Sequence, residues 1–224
     1  MAEAYAADVE DNAYNALYER PALIALLPSV AGKRVLEVGC GSGPLTAWLV
    51  DHGADIVAFD ASPRLVEMAR RRGLSSASFV VADLAEPLDF LADGMFDIVV
   101  SGLVLHYLRD RAGPLREVRR VLKPGGAVVF STHHPSWDVL LSDSGDYFAT
   151  ELIRDRWSKG GRDYEVRFWR RPLTAMFSAI TEAGFRVDRL VEPQPEAECR
   201  DRFPQDWEPL TTQPTFLFFR LEGR

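Results

Sequence analysis

The chain has 224 residues, 47% of them hydrophobic, and a formal net charge of −7 from 26 basic and 33 acidic residues. This length suits a single α/β domain with a sizeable core, and the acidic balance disfavours nucleic acid as a partner, since phosphate binding needs a basic face. We expect a cytoplasmic protein that does not cross a membrane, because the sequence has no bilayer-length apolar stretch, no secretory pattern and only two cysteines.

Apolar runs alternate with helix-like stretches through the first 132 residues. An amphipathic helix, broken near Pro21, is predicted over 12–27. Ser62-Pro63 has the form of an N-cap followed by a proline at the first helical position. Strands are predicted at 33–38, 55–60, 77–82, 96–101 and 126–132, and helices at 43–52, 63–72, 87–92 and 110–122. This alternation predicts a doubly wound α/β fold, with helices on both faces of a mostly parallel sheet.

The regular pattern stops after the fifth strand. Residues 133–171 are rich in aromatic side chains, namely Trp137, Tyr147, Phe148, Trp157, Tyr164, Phe168 and Trp169. Long irregular segments are commonly lids or binding loops, and this aromatic content disfavours disorder. We therefore predict an aromatic-rich cap inserted into a single domain of residues 1–224. A helix is expected over 172–183 with Gly184 as its stop, followed by strands at 185–191 and 215–221.

The most informative segment is the glycine-dense turn after the first strand, Glu37-Val-Gly39-Cys-Gly41-Ser-Gly43. Glycines at such a turn let a ligand press against bare backbone, and the helix behind points unpaired N–H groups at it. Pro44 occupies the position of the third glycine in the dinucleotide fingerprint GxGxxG. No Lys or Arg lies between Glu37 and Asp60. These features favour a cofactor that carries a sulfonium and an ammonium.

A second acidic residue, Asp60, ends the second predicted strand. An acid about 20 residues after the glycine turn accepts hydrogen bonds from the two hydroxyls of a ribose. Both NAD and S-adenosylmethionine contain a ribose. An NAD-dependent oxidoreductase therefore stays open as an alternative.

An ordered set of further motifs resembles that of the class I S-adenosylmethionine-dependent methyltransferases. The set comprises the acidic residue and xGxGxG at Glu37, then Val80-Val-Ala-Asp83, Phe96-Asp-Ile-Val-Val-Ser101 and Val121-Leu-Lys-Pro-Gly-Gly126. The chain most resembles the small-molecule branch, methyltransferase type 11-like, that includes the ubiquinone and menaquinone biosynthesis methyltransferases. The resemblance implies a Rossmann-like sheet with an antiparallel last strand beside the fifth. It also implies S-adenosylmethionine as cofactor and S-adenosylhomocysteine as product.

The same resemblance implies a set of cofactor-binding residues. They are Glu37, Gly39, Cys40 and Gly41 near the methionine part; Asp60, Ala61 and Ser62 at the ribose and adenine edge; Ala82, Asp83 and Leu84 at the adenine amino group; and Ser101 and Gly102 at the amino-acid end. Tyr14 is a further candidate that could close over the methionine end. Core packing is the alternative role for Tyr14, and a turn or helix cap is the alternative for Asp83.

Methyl transfer from a sulfonium requires chiefly that the acceptor be aligned and water excluded. Where the acceptor must lose a proton, histidine is the preferred base near neutral pH. His106 and either His133 or His134 follow the fourth and fifth strands, where ligands of such sheets bind. His106 and His133 are therefore the candidate catalytic residues, with packing as the alternative for His106. No compact His, Cys or Asp cluster has metal-ligand spacing, so no metal is expected.

We predict that the protein methylates a small aromatic or apolar metabolite held under the cap. A non-catalytic protein that binds S-adenosylmethionine is a second alternative, and a homodimer is left open. The fourth strand lacks an Asn-Pro-Pro-Tyr type motif, which disfavours methylation of nucleic-acid amines. The basic runs at 70–72 and around Arg170 and Arg171 are interpreted as solvated helix faces.

Overall fold

A computed structural model of the protein describes residues 1–223. Its strands are β1 (Arg34–Val38), β2 (Asp55–Asp60), β3 (Ala77–Val81), β4 (Phe96–Ser101), β5 (Leu122–His133), β6 (Glu151–Lys159), β7 (Arg162–Arg170), β8 (Phe185–Val191) and β9 (Phe216–Gly223). Its α-helices are α1 (Ala2–Glu10), α2 (Arg20–Leu26), α3 (Pro44–Asp51), α4 (Pro63–Arg70), α5 (Ala112–Val121), α6 (Pro135–Asp138), α7 (Leu173–Glu182), α8 (Glu198–Arg202) and α9 (Pro204–Thr212).

The main sheet has seven strands in the order β3-β2-β1-β4-β5-β9-β8. Strands β1 to β5 pair in parallel, and β9 is antiparallel to both of its neighbours, β5 and β8. The chain first builds outward from β1 to β3 and then crosses back to β4, so the direction of winding reverses between β1 and β4. The predicted Rossmann-like fold with an antiparallel last strand beside the fifth is confirmed.

Apolar layers cover both faces of this sheet. On one face Leu36 and Val38 of β1 pack in a cluster with side chains of α5 and α7. On the other face the preceding residue, Val35, belongs to a cluster with side chains of α2, α3 and α9. Alternate residues of one strand thus enter opposite layers, as the two-residue period of a strand requires. Burial on both faces holds the carboxyl ends of the parallel strands in fixed positions.

The N-terminal region has a boundary between two helical elements near Pro21, as predicted for the broken helix over 12–27, but differs in its first part. Helix α1 precedes it and was not predicted, and a π-helical turn spans Asn15–Glu19 before α2 begins at Arg20. The side chain of Asn12 accepts a hydrogen bond from Asn15 N at 2.6 Å and so turns the chain after α1. Pro21 lies in the first turn of α2, where its missing N–H is tolerated.

Residues 87–92 do not form the predicted helix. The side chains of Leu88 and Leu91 are buried in the core, and the Arg120 guanidinium donates hydrogen bonds to both of their carbonyl groups. These tertiary bonds satisfy the backbone in place of helical ones. Conversely, the acidic and proline-bearing stretch after β8 contains α8 and α9, which the sequence analysis did not predict.

The segment after β5 is more regular than predicted. After α6 and a short 3-10 turn, strands β6 and β7 form an antiparallel hairpin with Trp157 opposite Tyr164 and Ile153 opposite Phe168. Gly160 and Gly161 connect the strands with φ angles of +55° and +73°. A Gly-Gly pair favours such two-residue hairpin turns, because both central residues need positive φ. The aromatic residues therefore belong largely to a hairpin rather than to an irregular loop.

Two arginines at the base of this hairpin have structural roles. Arg170 is fully buried and donates hydrogen bonds to Tyr147 O and to the Glu151 carboxylate. Arg171 donates to Leu108 O at 2.7 Å. The interpretation of these two residues as part of a solvated helix face was therefore wrong. Within residues 1–223, no helix combines the length and apolar character that a transmembrane span requires.

Candidate functional site

The glycine turn lies at the point where the winding of the sheet reverses, between the carboxyl ends of β1 and β4. Gly39 and Gly41 have φ angles of +74° and +56°. A Cβ atom on Gly39 would lie 2.1 Å from Cγ2 of Val104, which follows β4, so a larger residue would displace that neighbour. The turn is tied to β2 because Gly39 N and Cys40 N both donate to Phe59 O. Open sheets of this type bind ligands at this position.

Asp60 at the end of β2 connects the glycine turn to helix α4. Its Oδ2 accepts a hydrogen bond from Gly41 N at 2.9 Å, and its Oδ1 accepts one from Ser62 N at 2.8 Å. Ser62 in turn caps α4 by accepting from Leu65 N, as the sequence predicts. Burial raises the pKa of Asp60 above its ordinary value, while the two backbone donors oppose that rise. The carboxylate is thus positioned by the fold before any ligand binds.

A crevice of about 600 Å³ lies in front of these groups. We call it the cofactor crevice. Most of the predicted cofactor-binding residues line it, namely Gly39, Gly41, Asp60, Ala61, Ser62, Ala82, Asp83, Leu84 and Gly102. The Asp83 carboxylate also accepts a hydrogen bond from Ala85 N. Asp83 therefore both stabilises a turn, which was the alternative role, and lines the crevice. Residues that follow the four strands β1 to β4 therefore line one cavity.

A small cavity of about 70 Å³ adjoins the crevice and shares Gly39, Gly41 and Gly102 with it. We call it the acidic recess, because the carboxylates of Glu19 and Glu37 line it. Cys40 also lies there, and burial raises the pKa of its thiol.

Both carboxylates of the acidic recess are nearly inaccessible to solvent. Glu37 is 3% exposed and accepts a hydrogen bond from Thr46 Oγ1 at 2.6 Å. Glu19 is 6% exposed and accepts one from Ser131 Oγ. Burial raises the pKa of Glu37 to about 8 and that of Glu19 to about 7. Within residues 1–223, neither carboxylate has a cationic side chain at salt-bridge distance.

Two of the predicted cofactor residues lie elsewhere. Ser101 is 5% exposed, and its buried hydroxyl does not line the crevice. Tyr14 lines a neighbouring cavity, where its ring packs edge-on against Phe216 with the centroids 6.5 Å apart. This contact agrees with the packing alternative for Tyr14.

That neighbouring cavity has a volume of about 320 Å³, and we call it the aromatic cavity. Its aromatic and imidazole walls are Tyr5, Tyr14, His106, Tyr107, His133, Trp137, Trp157, Phe168 and Phe216. The aromatic cavity and the cofactor crevice share Tyr5, Leu103, Tyr107 and Trp157 as lining residues. Trp157 and Phe168 come from the β6–β7 hairpin, so the hairpin forms part of the cavity wall.

His106 and His133, the two candidate catalytic histidines, stack on each other in the aromatic cavity. Their ring centroids are 3.8 Å apart with an interplanar angle of 16°, and Phe168 packs edge-on against both. His133 Nδ1 lies 3.1 Å from Oδ1 of Asp138, whose side chain is buried. Both ring nitrogens of His106 are buried without hydrogen-bond partners, and burial lowers its pKa well below the ordinary value. Only His133 therefore has the paired carboxylate typical of a general base.

The two remaining histidines have structural roles. His134 caps α6 by accepting a hydrogen bond from Ser136 N, and its Nε2 lies 2.8 Å from Glu192 Oε1. His52 stacks on Trp48 at the end of α3. Neither residue lines the aromatic cavity.

Helix α1 covers the site, and the sequence analysis did not identify it. Tyr5 on α1 lines the cofactor crevice, the acidic recess and the aromatic cavity. Ion pairs join the helix to its surroundings: Glu3 to Arg64 at 2.7 Å, Asp8 to Lys159 of the hairpin at 2.5 Å, and Glu10 to Arg72. No local motif marks these contacts, because they join segments that are far apart in the sequence.

The raised pKa values in the acidic recess predict how stability depends on pH. The folded state binds protons at Glu37 and Glu19 more tightly than the unfolded state, so stability falls as pH rises from about 4.5 to about 8. We expect Glu37→Gln to reduce this fall in the free energy of unfolding by at least about 1 kcal/mol. Urea unfolding of the ligand-free protein across this range measures it. Glu86→Gln, at an exposed position, is the control, and equal pH slopes for Glu37→Gln and wild type would contradict the assignment.

Comparison with known proteins places this geometry in a family. The family model described as "Methyltransferase domain" matches residues 36–130. The ubiquinone biosynthesis O-methyltransferase of Thiobacillus denitrificans is 33% identical over 164 residues, which cover 72% of this chain and 68% of that protein. The protein of the same name from Xanthomonas oryzae pv. oryzae is 39% identical over 129 residues, covering 56% of this chain and 54% of the relative, or about half its length.

A solved structure extends the similarity to the whole fold. The S-adenosylmethionine-dependent methyltransferase of Mesorhizobium loti matches with a TM-score of 0.75 and 26% identity, covering 96% of this chain and 99% of that one. The chain belongs to the class I S-adenosylmethionine-dependent methyltransferases.

Proposed function

We propose that the protein transfers the methyl group of S-adenosylmethionine to a small aromatic or apolar metabolite bound in the aromatic cavity. Membership of the family removes the NAD-dependent alternative. The observation that carries the acceptor proposal is the set of four lining residues, Tyr5, Leu103, Tyr107 and Trp157, that the aromatic cavity shares with the cofactor crevice. An acceptor there lies next to the cofactor.

The residues of the crevice fit the cofactor. Among the described residues that line it, none is basic and two are acidic, Asp60 and Asp83, which suits a cationic ligand. Asp60 is positioned to accept hydrogen bonds from ribose hydroxyls, and the bare backbone of Gly39 and Gly41 allows close approach. When bound, the cofactor supplies an electrophilic methyl group on a sulfonium.

The walls of the aromatic cavity support a small, flat acceptor. A volume of about 320 Å³ is at the lower end of the range for ligand sites, about 300 to 1,000 Å³. Aromatic side chains pack against flat rings and exclude water, which favours alignment of the acceptor with the methyl group. The hairpin contributes Trp157 and Phe168 to these walls, and this supports the cap role proposed for residues 133–171.

His133 is the side chain best suited to accept a proton from the acceptor. The carboxylate of Asp138 next to Nδ1 favours a proton on that nitrogen, which leaves Nε2 as the basic atom. Stacked on His133, His106 fixes the orientation of its ring. A base is useful only for an acceptor that loses a proton. Similarity to ubiquinone biosynthesis O-methyltransferases makes a hydroxyl the first class of acceptor to test.

Incubation with a labelled methyl donor and a metabolite extract tests the proposal. We expect the label in a small aromatic or apolar compound that has a free hydroxyl in its unlabelled form. Protein heated beyond unfolding is the control. Tight binding of S-adenosylhomocysteine without label in any fraction would instead support the non-catalytic alternative.

Substitution of the proposed base should affect turnover selectively. We expect His133→Asn to lower kcat by about 100-fold or more, since a positioned base contributes on the order of 10²–10⁴, and to leave affinity for S-adenosylhomocysteine unchanged. Asp138→Asn should lower kcat less. His52→Asn, at the end of α3, is the matched control. Full turnover by His133→Asn would remove the base from the mechanism.

Asp60→Asn tests the ribose contact. We expect affinity for S-adenosylhomocysteine to fall by about 1–3 kcal/mol, because charge-assisted hydrogen bonds are lost. The matched control is Asp55→Asn, at the exposed opposite end of the same strand. Isothermal titration calorimetry measures both variants, and an unchanged affinity for Asp60→Asn would show that the ribose lies elsewhere.

A further inference from the structure

Glu19 is a buried carboxylate without an assigned role in cofactor binding or catalysis. It ends the π-helical turn Asn15–Glu19, in which Glu19 N donates to Tyr14 O. Single π-helical turns frequently occur at functional sites. The turn directs the Glu19 side chain toward the end of β4, where a Cβ atom on Gly102 would lie 3.0 Å from Glu19 Oε1. Glu19 Oε1 therefore lies beside Gly102, which lines both the cofactor crevice and the acidic recess.

The described residues donate a hydrogen bond to only one of the two oxygen atoms of the Glu19 carboxylate. Oε1 accepts a hydrogen bond from Ser131 Oγ, and Ser131 Oγ is itself fixed by a bond from Leu103 N. Oε2 accepts no hydrogen bond from residues 1–223. A buried carboxylate of this kind is costly unless it is protonated or meets a cation.

In the part of the chain that the structure describes, no cationic side chain forms a salt bridge with Glu19, although the charge of Arg20 partly opposes the rise in its pKa. Among the described residues, the only basic side chain lining the acidic recess is Arg20, which lies beyond salt-bridge distance of Glu19. Its guanidinium donates to the carbonyl groups of Val9 and Glu10 instead. Glu37, the other acidic side chain of the recess, is also buried and accepts a hydrogen bond only from Thr46 Oγ1 among the described residues. The recess thus has the size and the charge for one small cationic group.

We propose that Glu19 binds the α-ammonium of the amino-acid part of S-adenosylmethionine, with its carboxylate held in place by Ser131. The crevice and the recess meet at Gly39, Gly41 and Gly102, so one ligand can occupy both, with the nucleoside beside Asp60 and the ammonium in the recess. The ammonium supplies the salt-bridge partner that Glu19 lacks among the described residues. Glu19 then positions the cofactor without contacting the methyl acceptor.

Calorimetry with two ligands tests this assignment. The ligands are S-adenosylhomocysteine and its deaminated analogue, in which hydrogen replaces the α-amino group. For Glu19→Gln we expect the affinity for S-adenosylhomocysteine to fall by about tenfold or more, as for loss of a buried charge-assisted bond. Affinity for the deaminated analogue should not fall. Glu192→Gln is the control, because Glu192 pairs with His134 and lines none of the three cavities.

Equal losses for the two ligands, or no loss for S-adenosylhomocysteine, would overturn the proposal. Should Glu19→Gln fail to fold, as judged by thermal unfolding, Ser131→Ala provides the second test. This substitution removes the hydroxyl group that donates a hydrogen bond to Glu19. We expect it to lower the affinity for S-adenosylhomocysteine more than the affinity for the deaminated analogue. Equal losses of affinity would again contradict the proposal. These experiments contain no methyl acceptor, so their outcome is independent of the acceptor proposed above.

Discussion

The site depends on buried carboxyl groups that form no salt bridge with a cationic side chain in the described part of the chain. Glu19, Glu37 and Asp60 converge where β1, β2 and β4 end, and within residues 1–223 only backbone amides and hydroxyl groups donate hydrogen bonds to them. Such a site disfavours a phosphate and favours a ligand that carries positive charge. The glycine turn adds a steric preference. Gly39 and Gly41 have no side chains, so the ligand can approach the backbone between the carboxyl groups of Glu37 and Asp60. Selection of a sulfonium nucleoside over a dinucleotide thus follows from desolvation as well as from motif spacing.

The arrangement of the two larger cavities follows from the sheet and its additions. The reversal of winding between β1 and β4 creates the cofactor crevice, whereas the aromatic cavity needs the ends of β4 and β5 together with the hairpin. Helix α1 and the hairpin are joined by the Asp8–Lys159 ion pair, so the two elements that cover the site are connected to each other. Tyr5 and Trp157, one from each element, line both cavities. The ends of the parallel strands therefore form most of the cofactor crevice, and α1 and the hairpin contribute walls to both cavities.

The order of the sheet and the position of the cofactor crevice could be predicted from the sequence because their signals are local. Strand β1, the glycine turn and Asp60 are each recognisable within a few residues, and the parallel topology brings them together. The hairpin also has a local signal, because Gly160-Gly161 favours a two-residue turn between strands. The aromatic residues around this pair are equally typical of a binding loop, which is the structure predicted for the segment. Glu19 and Asp138 could not be assigned in this way, because each acquires its role from a partner or cavity that exists only in the folded chain. Arg170 and Arg171 likewise resemble a solvated run in sequence and are buried by contacts with distant carbonyl groups.

A crystal structure of the protein soaked with S-adenosylhomocysteine tests the central claim most directly. The account predicts electron density in the cofactor crevice, with the ribose at Asp60, the adenine beside Asp83 and the amino-acid part entering the recess between Glu19 and Glu37. It also predicts that the sulfur atom faces the aromatic cavity. An empty crevice, or a ligand bound with its amino-acid part directed away from the recess, would contradict the account.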